Sequence, residues 1–159
     1  MRRTDREIKN LDDIFSVVEN CAVVHVAMVD DDKPYVVALN FGFERQGDSL
    51  ILYLHSAQEG KKIDILRKNP NVYFQMDCVN QFIRGTQENP CSYCWRFDSV
   101  MGSGQVEFIT DDAKKSHALN RIIQHLDKTE EPFDFPAQKL LHTCVYQIVS
   151  DDITGKHHE

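Results

Sequence analysis

Apolar positions along the chain repeat with two different periods, and the switches between them mark the elements. Residues 11–18, LDDIFSVV, set Leu11, Ile14, Phe15 and Val18 at helical spacing behind Asn10, a good capping residue, with Asp13 three positions after it. This predicts a first helix of about three turns. AVVHVAMV (22–29) is apolar and strand-like, and the polar connector DDDKP (30–34) leads to YVVALNFGFE (35–44), so the two runs predict a hairpin. RQGD (45–48) is a turn, and SLILYLHS (49–56) is a third strand. Gly60-Lys61-Lys62 then opens an amphipathic helical segment that Asn69-Pro70 closes, and NVYFQMDCV (71–79) predicts a fourth strand.

Residues 80–92 read as a loop punctuated by Gly85 and Asn89-Pro90. YCWRFDSVMGSGQVEFIT (93–110) reads as a long strand or strand pair, bent at Gly102-Ser103-Gly104. Thr110 is placed to cap a helix with Asp111 and Asp112 in its first turn and an apolar face of Ala118, Leu119, Ile122, Ile123 and Leu126. EEPFDFP (130–136) is a turn region, a short helical piece surrounds Lys139-Leu140-Leu141, and TCVYQIVS (143–150) is the last strand. Strands outnumber helices, and most connectors are too short for parallel crossovers. The pattern predicts an α+β, mainly β domain: a small, partly closed antiparallel barrel with helices packed outside it.

Composition narrows the function. A chain of 159 residues fits one domain with a real core, and 42% apolar with 27% charged residues is ordinary for a soluble protein. No apolar run approaches the roughly 20 residues that span a bilayer, and MRRTDREIKN has no apolar segment behind its arginines, so neither a membrane span nor a secretory signal is expected. A net charge of -7 opposes nucleic-acid binding, which needs a clustered positive face. Five cysteines, an odd number without an export signal, suggest reduced thiols and a cytoplasmic location.

Among the possible chemistries, HSAQEGKKIDILRKNP (55–70) raises the sharpest question. Two ammonium groups at a helix start oppose the macrodipole unless an anion lies between them. A Walker-type loop is excluded, because His55 and Lys62 stand where it needs glycine and Ser or Thr. Two readings remain: an anion site made of helix-start amides, the Ser56 hydroxyl and both lysines, or a solvated lysine pair. Cys91-Ser-Tyr-Cys94 has redox or half-zinc spacing but runs into a strand and has no second ligand pair, so Cys94 is expected to pack as a small hydrophobe. His25 reads as a core or pocket histidine, His117 and His125 lack a shared metal spacing, and His157-His158-Glu159 reads as a disordered polar terminus; no metal is expected. Without a Gly-x-Ser-x-Gly elbow or an evident nucleophile, any catalysis points to an organic cofactor carrying a phosphate.

Four segments in register, PYVVALNFGFE (34–44), LHSAQEGKKIDILRKNP (54–70), CWRFDSVMGSG (94–104) and ITGK (153–156), resemble the FMN-binding split-barrel family related to pyridoxamine 5'-phosphate oxidase. Within that family they are most similar to the branch of nitroimidazole-resistance (Nim) proteins, and the likeness runs from Arg3 to Lys156. The resemblance implies a six-stranded Greek-key split barrel and a homodimer holding FMN at the subunit interface. It implies Lys61 and Lys62 as phosphate ligands, with His55 and Ser56 beside them, and Leu39, Asn40 and Phe41 along the isoalloxazine ring. Trp95, Arg96, Ser99 and Val100 would approach from the partner subunit, and Thr154, Gly155 and Lys156 would close the site. Trp95 or Phe41 is expected either to shield a ring face or to be ordinary barrel core.

The arginine-rich C-terminal segment of true pyridoxamine phosphate oxidases is missing, which argues against that particular reaction, and Ala38 stands where the nearest relatives often carry proline. The resemblance thus implies FMN-dependent reduction of a small organic acceptor, with nitroaromatic and quinone-like compounds compatible. Its rivals are a non-catalytic flavin-binding or flavin-sensing module and a haem protein using His25 or His157.

Overall fold

The computed structural model describes residues 3–158. Eight strands and four α-helices follow one another as β1 (Glu7–Ile8), α1 (Leu11–Asn20), β2 (Val24–Asp30), β3 (Lys33–Leu39), β4 (Gly42–Gln46), β5 (Ser49–Ser56), α2 (Lys61–Lys68), β6 (Asn71–Ile83), β7 (Cys94–Ile109), α3 (Asp112–Asp127), α4 (Ala137–His142) and β8 (Cys144–His158). The strands form one antiparallel sheet in the order β3-β2-β6-β7-β8-β5-β4, with β1 pairing on β8.

This order explains how the sheet closes. β3 and β4 lie at opposite ends of it, yet only Asn40 and Phe41 separate them in the chain. Leu39 pairs with Val24 on β2, whereas Gly42 pairs with Tyr53 on β5. A two-residue link between opposite edges forces the sheet to curl until those edges meet without a continuous ladder, which is a split barrel. The expected mainly antiparallel α+β fold is therefore present, with eight strands in place of six. The run 35–44, expected as one strand, is two strands divided at the corner. There Asn40 donates its side-chain amide to the Ala22 carbonyl at 3.2 Å, and Phe41 turns fully into the core.

Gly42 permits the corner. A Cβ at this position would lie 2.4 Å from the backbone of Arg121 and of Ile122 in α3. Gly42→Ala is expected to destabilise the protein by about 3 kcal/mol, because backbone rather than a side chain must yield; urea unfolding of the variant measures the loss.

Alternation along β2 and β5 puts Val24, Val26, Leu50, Leu52 and Leu54 inside the barrel. α1 packs Ile14 and Val18 into the same core, while α3 covers the opposite face of the sheet with Ala118 and Ile122 against Tyr53 and Val145. Asn10 caps α1 as expected, accepting from the Asp12 amide at 2.9 Å. Asp111, not Thr110, caps α3: its carboxylate accepts from the Lys114 amide at 2.9 Å. Leu126, expected on the buried face of α3, is exposed, and the inward position beside it is taken by His125.

His125 donates from Nε2 to the Cys21 carbonyl at 2.7 Å, which fixes the tautomer, and its ring lies 4.6 Å from that of Phe41. Burial holds its pKa below the ordinary imidazole value despite the carbonyl contact. The unfolded chain therefore takes up the proton first. This contribution to stability is complete above the ordinary value near pH 6.5 and is lost as pH falls towards the depressed folded value. His125→Gln should flatten the thermal stability profile over that interval; an unchanged slope would assign the acid sensitivity to other groups.

β6 continues to Ile83, so part of the expected loop at 80–92 is strand. A register shift between Cys78 and Gln81, with Val79 at φ 58°, lets the ribbon resume beyond the irregularity. The expected bend at Gly102-Ser103-Gly104 is a register shift against β8 between Ser103 and Gln105 within the single long strand β7. β8 itself runs to His158, so His157 and His158 belong to a strand, not to a disordered terminus; Glu159 lies outside the described residues.

Candidate functional site

Beside the edge strand β3, a cleft of about 340 Å³ opens between that strand and the β5–α2 connection. Tyr35, Val37 and Leu39 form one wall, and Ser56, Gly60, Lys61 and Lys62 form the other. Gly60 precedes α2 at φ 136°, a conformation that side-chain-bearing residues rarely adopt, and a Cβ there would meet nothing within 4 Å. No side chain caps this helix start. Its first-turn amides are thus left to accept an external anion.

The two lysines are unlike one another. Lys61 Nζ lies 3.1 Å from Asp30 Oδ2, at the end of β2, and 5.0 Å from the centre of the Tyr35 ring. Lys62 has no carboxylate partner among the described residues; its ammonium sits 6.0 Å over the ring of Tyr146. Burial lowers the Lys62 pKa, with Cys144 acting in the opposite direction. His55 is exposed as a residue, yet desolvation of its ring, followed by the Lys62 charge, lowers its pKa. An anion seated here would relieve both groups.

Of the residues expected to form the site, the cleft lining brings together Leu39, Ser56, Lys61 and Lys62, with His55 adjacent on β5. Asn40 lies at the corner next to Leu39. Phe41 does not face the cleft as a ring shield: it is fully buried in the main core, its ring tilted by 40° against that of His125. The remaining residues form a second group on β7 and β8, where Ser99 pairs with Lys156, Val100 with Gly155 and Met101 with Thr154. Ser99, Val100 and Gly155 are buried, and a Cβ on Gly155 would fall 2.8 Å from Ile14, so that glycine serves packing.

Trp95 and Arg96 are exposed, and Trp95 donates from its indole to Asn80 Oδ1 at 3.1 Å. None of this second group lines the cleft. Tyr35 and Asp30 are not apparent as site residues from the sequence, and Gly60 enters there only as the start of the helix. The positive φ of Gly60 was within reach as a signal, since glycine directly precedes the lysines, but the Asp30–Lys61 pair joins distant positions. His25, expected in a core or pocket, is exposed on β2. Among the described residues no group of three or more His, Cys, Asp or Glu side chains could hold a metal, and no helix is long and apolar enough to cross a membrane.

The family profile described as pyridoxamine 5'-phosphate oxidase matches residues 10–157. The chain belongs to this family. Among solved structures, a candidate 5-nitroimidazole antibiotic resistance protein from Bacteroides thetaiotaomicron is 34% identical, with 94% of this chain and 85% of that one covered, at a TM-score of 0.79. The pyridoxamine 5'-phosphate oxidase-type fold also aligns with an FAD and heme binding protein from Mycobacterium smegmatis at 19% identity, covering 97% and 74% of the two chains, with a TM-score of 0.79. An FAD-binding protein from Mesorhizobium loti aligns at 23% identity over 97% and 98%, with a TM-score of 0.67. These last two likenesses concern the fold alone. No curated protein matches this member of the family.

Proposed function

We propose that the cleft binds FMN and that the protein is an FMN-dependent oxidoreductase reducing a small organic acceptor, nitroaromatic or quinone-like in chemistry. One observation carries this reading: an uncapped helix start bearing Lys61 and Lys62 opens onto the extended edge strand β3. The donor set suits a phosphate. First-turn amides and the Lys62 ammonium are positive or proton-donating, and Lys61 adds a second charge held in place by Asp30; the Ser56 hydroxyl, which donates to the Ala57 carbonyl at 2.9 Å, would turn to the phosphate, and the Glu59 carboxylate also lines the cleft. The β3 wall from Tyr35 to Leu39 offers a flat, mostly apolar surface for a heteroaromatic ring, with backbone groups near its end at Asn40 for the ring's polar edge.

FMN, when bound, supplies the hydride chemistry. The chain's own residues bind the phosphate, align the ring along β3 and keep water from one side of it. In a homodimer, the exposed Trp95 and Arg96 of one copy, with Thr154 and Lys156, would complete the site of the other, while buried Ser99, Val100 and Gly155 would shape that face by packing behind it. Family membership and the likeness to the Bacteroides protein support a flavin-related role, and the named flavin-binding neighbours agree with it.

Purified protein should be yellow, release FMN on denaturation, and oxidise a nicotinamide donor when a nitroaromatic or quinone acceptor is added. Tight FMN binding without turnover on any acceptor would leave a flavin-binding module and remove the catalytic half of the proposal.

A further inference from the structure

We propose that Cys94 and His158 form a peroxide-reactive thiol site at the far end of β7 and β8, with Cys91 as its resolving thiol. Cys94 opens β7, is half-buried, and brings its Sγ to 2.5 Å from Nε2 of His158 near the end of β8. The His158 imidazole is also set edge-on to Phe97, with ring centres 6.0 Å apart. It forms one wall of an open cleft of about 310 Å³, lined also by Arg3, Asp5, Arg6 and His157.

The pair sets a thiol directly against an imidazole. Desolvation, then the charges of Arg6, Arg3, Lys156 and His157, keep the His158 pKa below the ordinary imidazole value. The ring is therefore neutral at neutral pH and can accept the thiol proton at Nε2. The nearby carboxylates are engaged elsewhere, Asp5 with Arg3 and Asp98 with His157. Cys21, Cys78 and Cys144 contrast with this site, since burial pushes all three thiols up and away from reactivity. Cys91 is exposed, three residues ahead of Cys94 in the short turn Pro90–Ser92. That turn is fixed by the Ser92 hydroxyl, which donates to the Asn89 carbonyl at 2.6 Å and accepts from the Thr86 amide at 3.3 Å.

The reaction balances with hydrogen peroxide as oxidant. The Cys94 thiol passes its proton to His158, and the thiolate attacks one peroxide oxygen. An S–O bond forms, the O–O bond breaks, and the proton on His158 goes to the departing hydroxide, which leaves as water. Sulfur loses two electrons and peroxide gains them. The Cys91 thiol then attacks the sulfenic sulfur; the S–O bond breaks, a second water leaves, and a Cys91–Cys94 disulfide closes.

The test is residue-resolved mass spectrometry of the full chain, reduced, desalted and exposed to equimolar peroxide. The Cys91–Cys94 disulfide should be the main product, with Cys21, Cys78 and Cys144 still thiols. In Cys91→Ser the reaction should stop at a Cys94 sulfenic acid that dimedone traps. His158→Gln should slow that step about a hundredfold and change its pH profile. Absence of the Cys91–Cys94 disulfide from the unaltered protein, with oxidation spread over the other cysteines as well, would overturn the site without recourse to any variant. So would an unchanged rate and pH profile in a folded His158→Gln protein. Because the peroxide is added, the result does not depend on whether the cleft at Lys62 holds a flavin.

Discussion

Replacing Lys61 and Lys62 together by alanine is expected to weaken FMN binding by about 3 to 6 kcal/mol, roughly 10²- to 10⁴-fold, while leaving the fold intact. Both lysines lie on the cleft side of α2, and neither contributes a side chain to the barrel core, which α2 enters through Ile63, Ile65 and Leu66. The two contributions should differ. Lys61 already satisfies part of its charge on Asp30, so Lys61→Ala alone removes the less committed ligand. Lys62 is half-buried and lacks a carboxylate partner among the described residues, so it gains most from a phosphate, and Lys62→Ala should account for the larger share. Fluorescence quenching of FMN measures all three variants. Equal affinity for the double variant and the unaltered protein would remove both residues from the site.

Phe41→Ala should cost about 3 to 5 kcal/mol of stability, the range for deleting a large buried aromatic. The ring is fully buried, lies tilted against His125 with centres 4.6 Å apart, and fills the corner where the chain passes from one sheet edge to the other. Neighbouring elements cannot easily collapse into the space, since the backbone of α3 already approaches Gly42 as closely as it can. Urea unfolding gives the loss, and the visible spectrum of FMN bound to the surviving folded fraction should be unchanged. Little loss of stability with collapse of flavin binding would instead place Phe41 against the cofactor.

That corner also shows where the sequence was hard to read. YVVALNFGFE keeps a strand-like pattern straight through Asn40 and Phe41, because both halves have an inward face. Only the change of pairing partner, from β2 to β5, marks the break, and local hydropathy carries no record of pairing partners. The far ends of β6 and β8 were missed for another reason, although β7 was read along its whole length. Gln81 pairs with Arg96 and Asp98 with His157, so these strands continue as a polar ribbon whose backbone ladder, not burial, holds it in place. By contrast, β2 and α1 were legible because each buries one regular face, and β5 because it is a continuous apolar run buried on both sides.

The candidate site divides in the same way. Gly60, Lys61 and Lys62 are adjacent in the chain, and their clash with the helix dipole is visible without coordinates. Asp30 and Tyr35 reach Lys61 only because the curled sheet brings β2 and β3 beside α2, a juxtaposition that spacing along the chain does not encode. The Cys94–His158 contact likewise depends on β8 running its full length beside β7.

Calorimetric titration of the unaltered protein with FMN and, separately, with riboflavin isolates the contribution of the phosphate from that of the ring. If Lys62, Lys61 and the open start of α2 grip a phosphate, FMN should bind at least about a hundredfold more tightly than riboflavin, the equivalent of two charge-assisted contacts at the low end of their range. Equal affinities for the two ligands, or no heat from either with a folded sample, would contradict it.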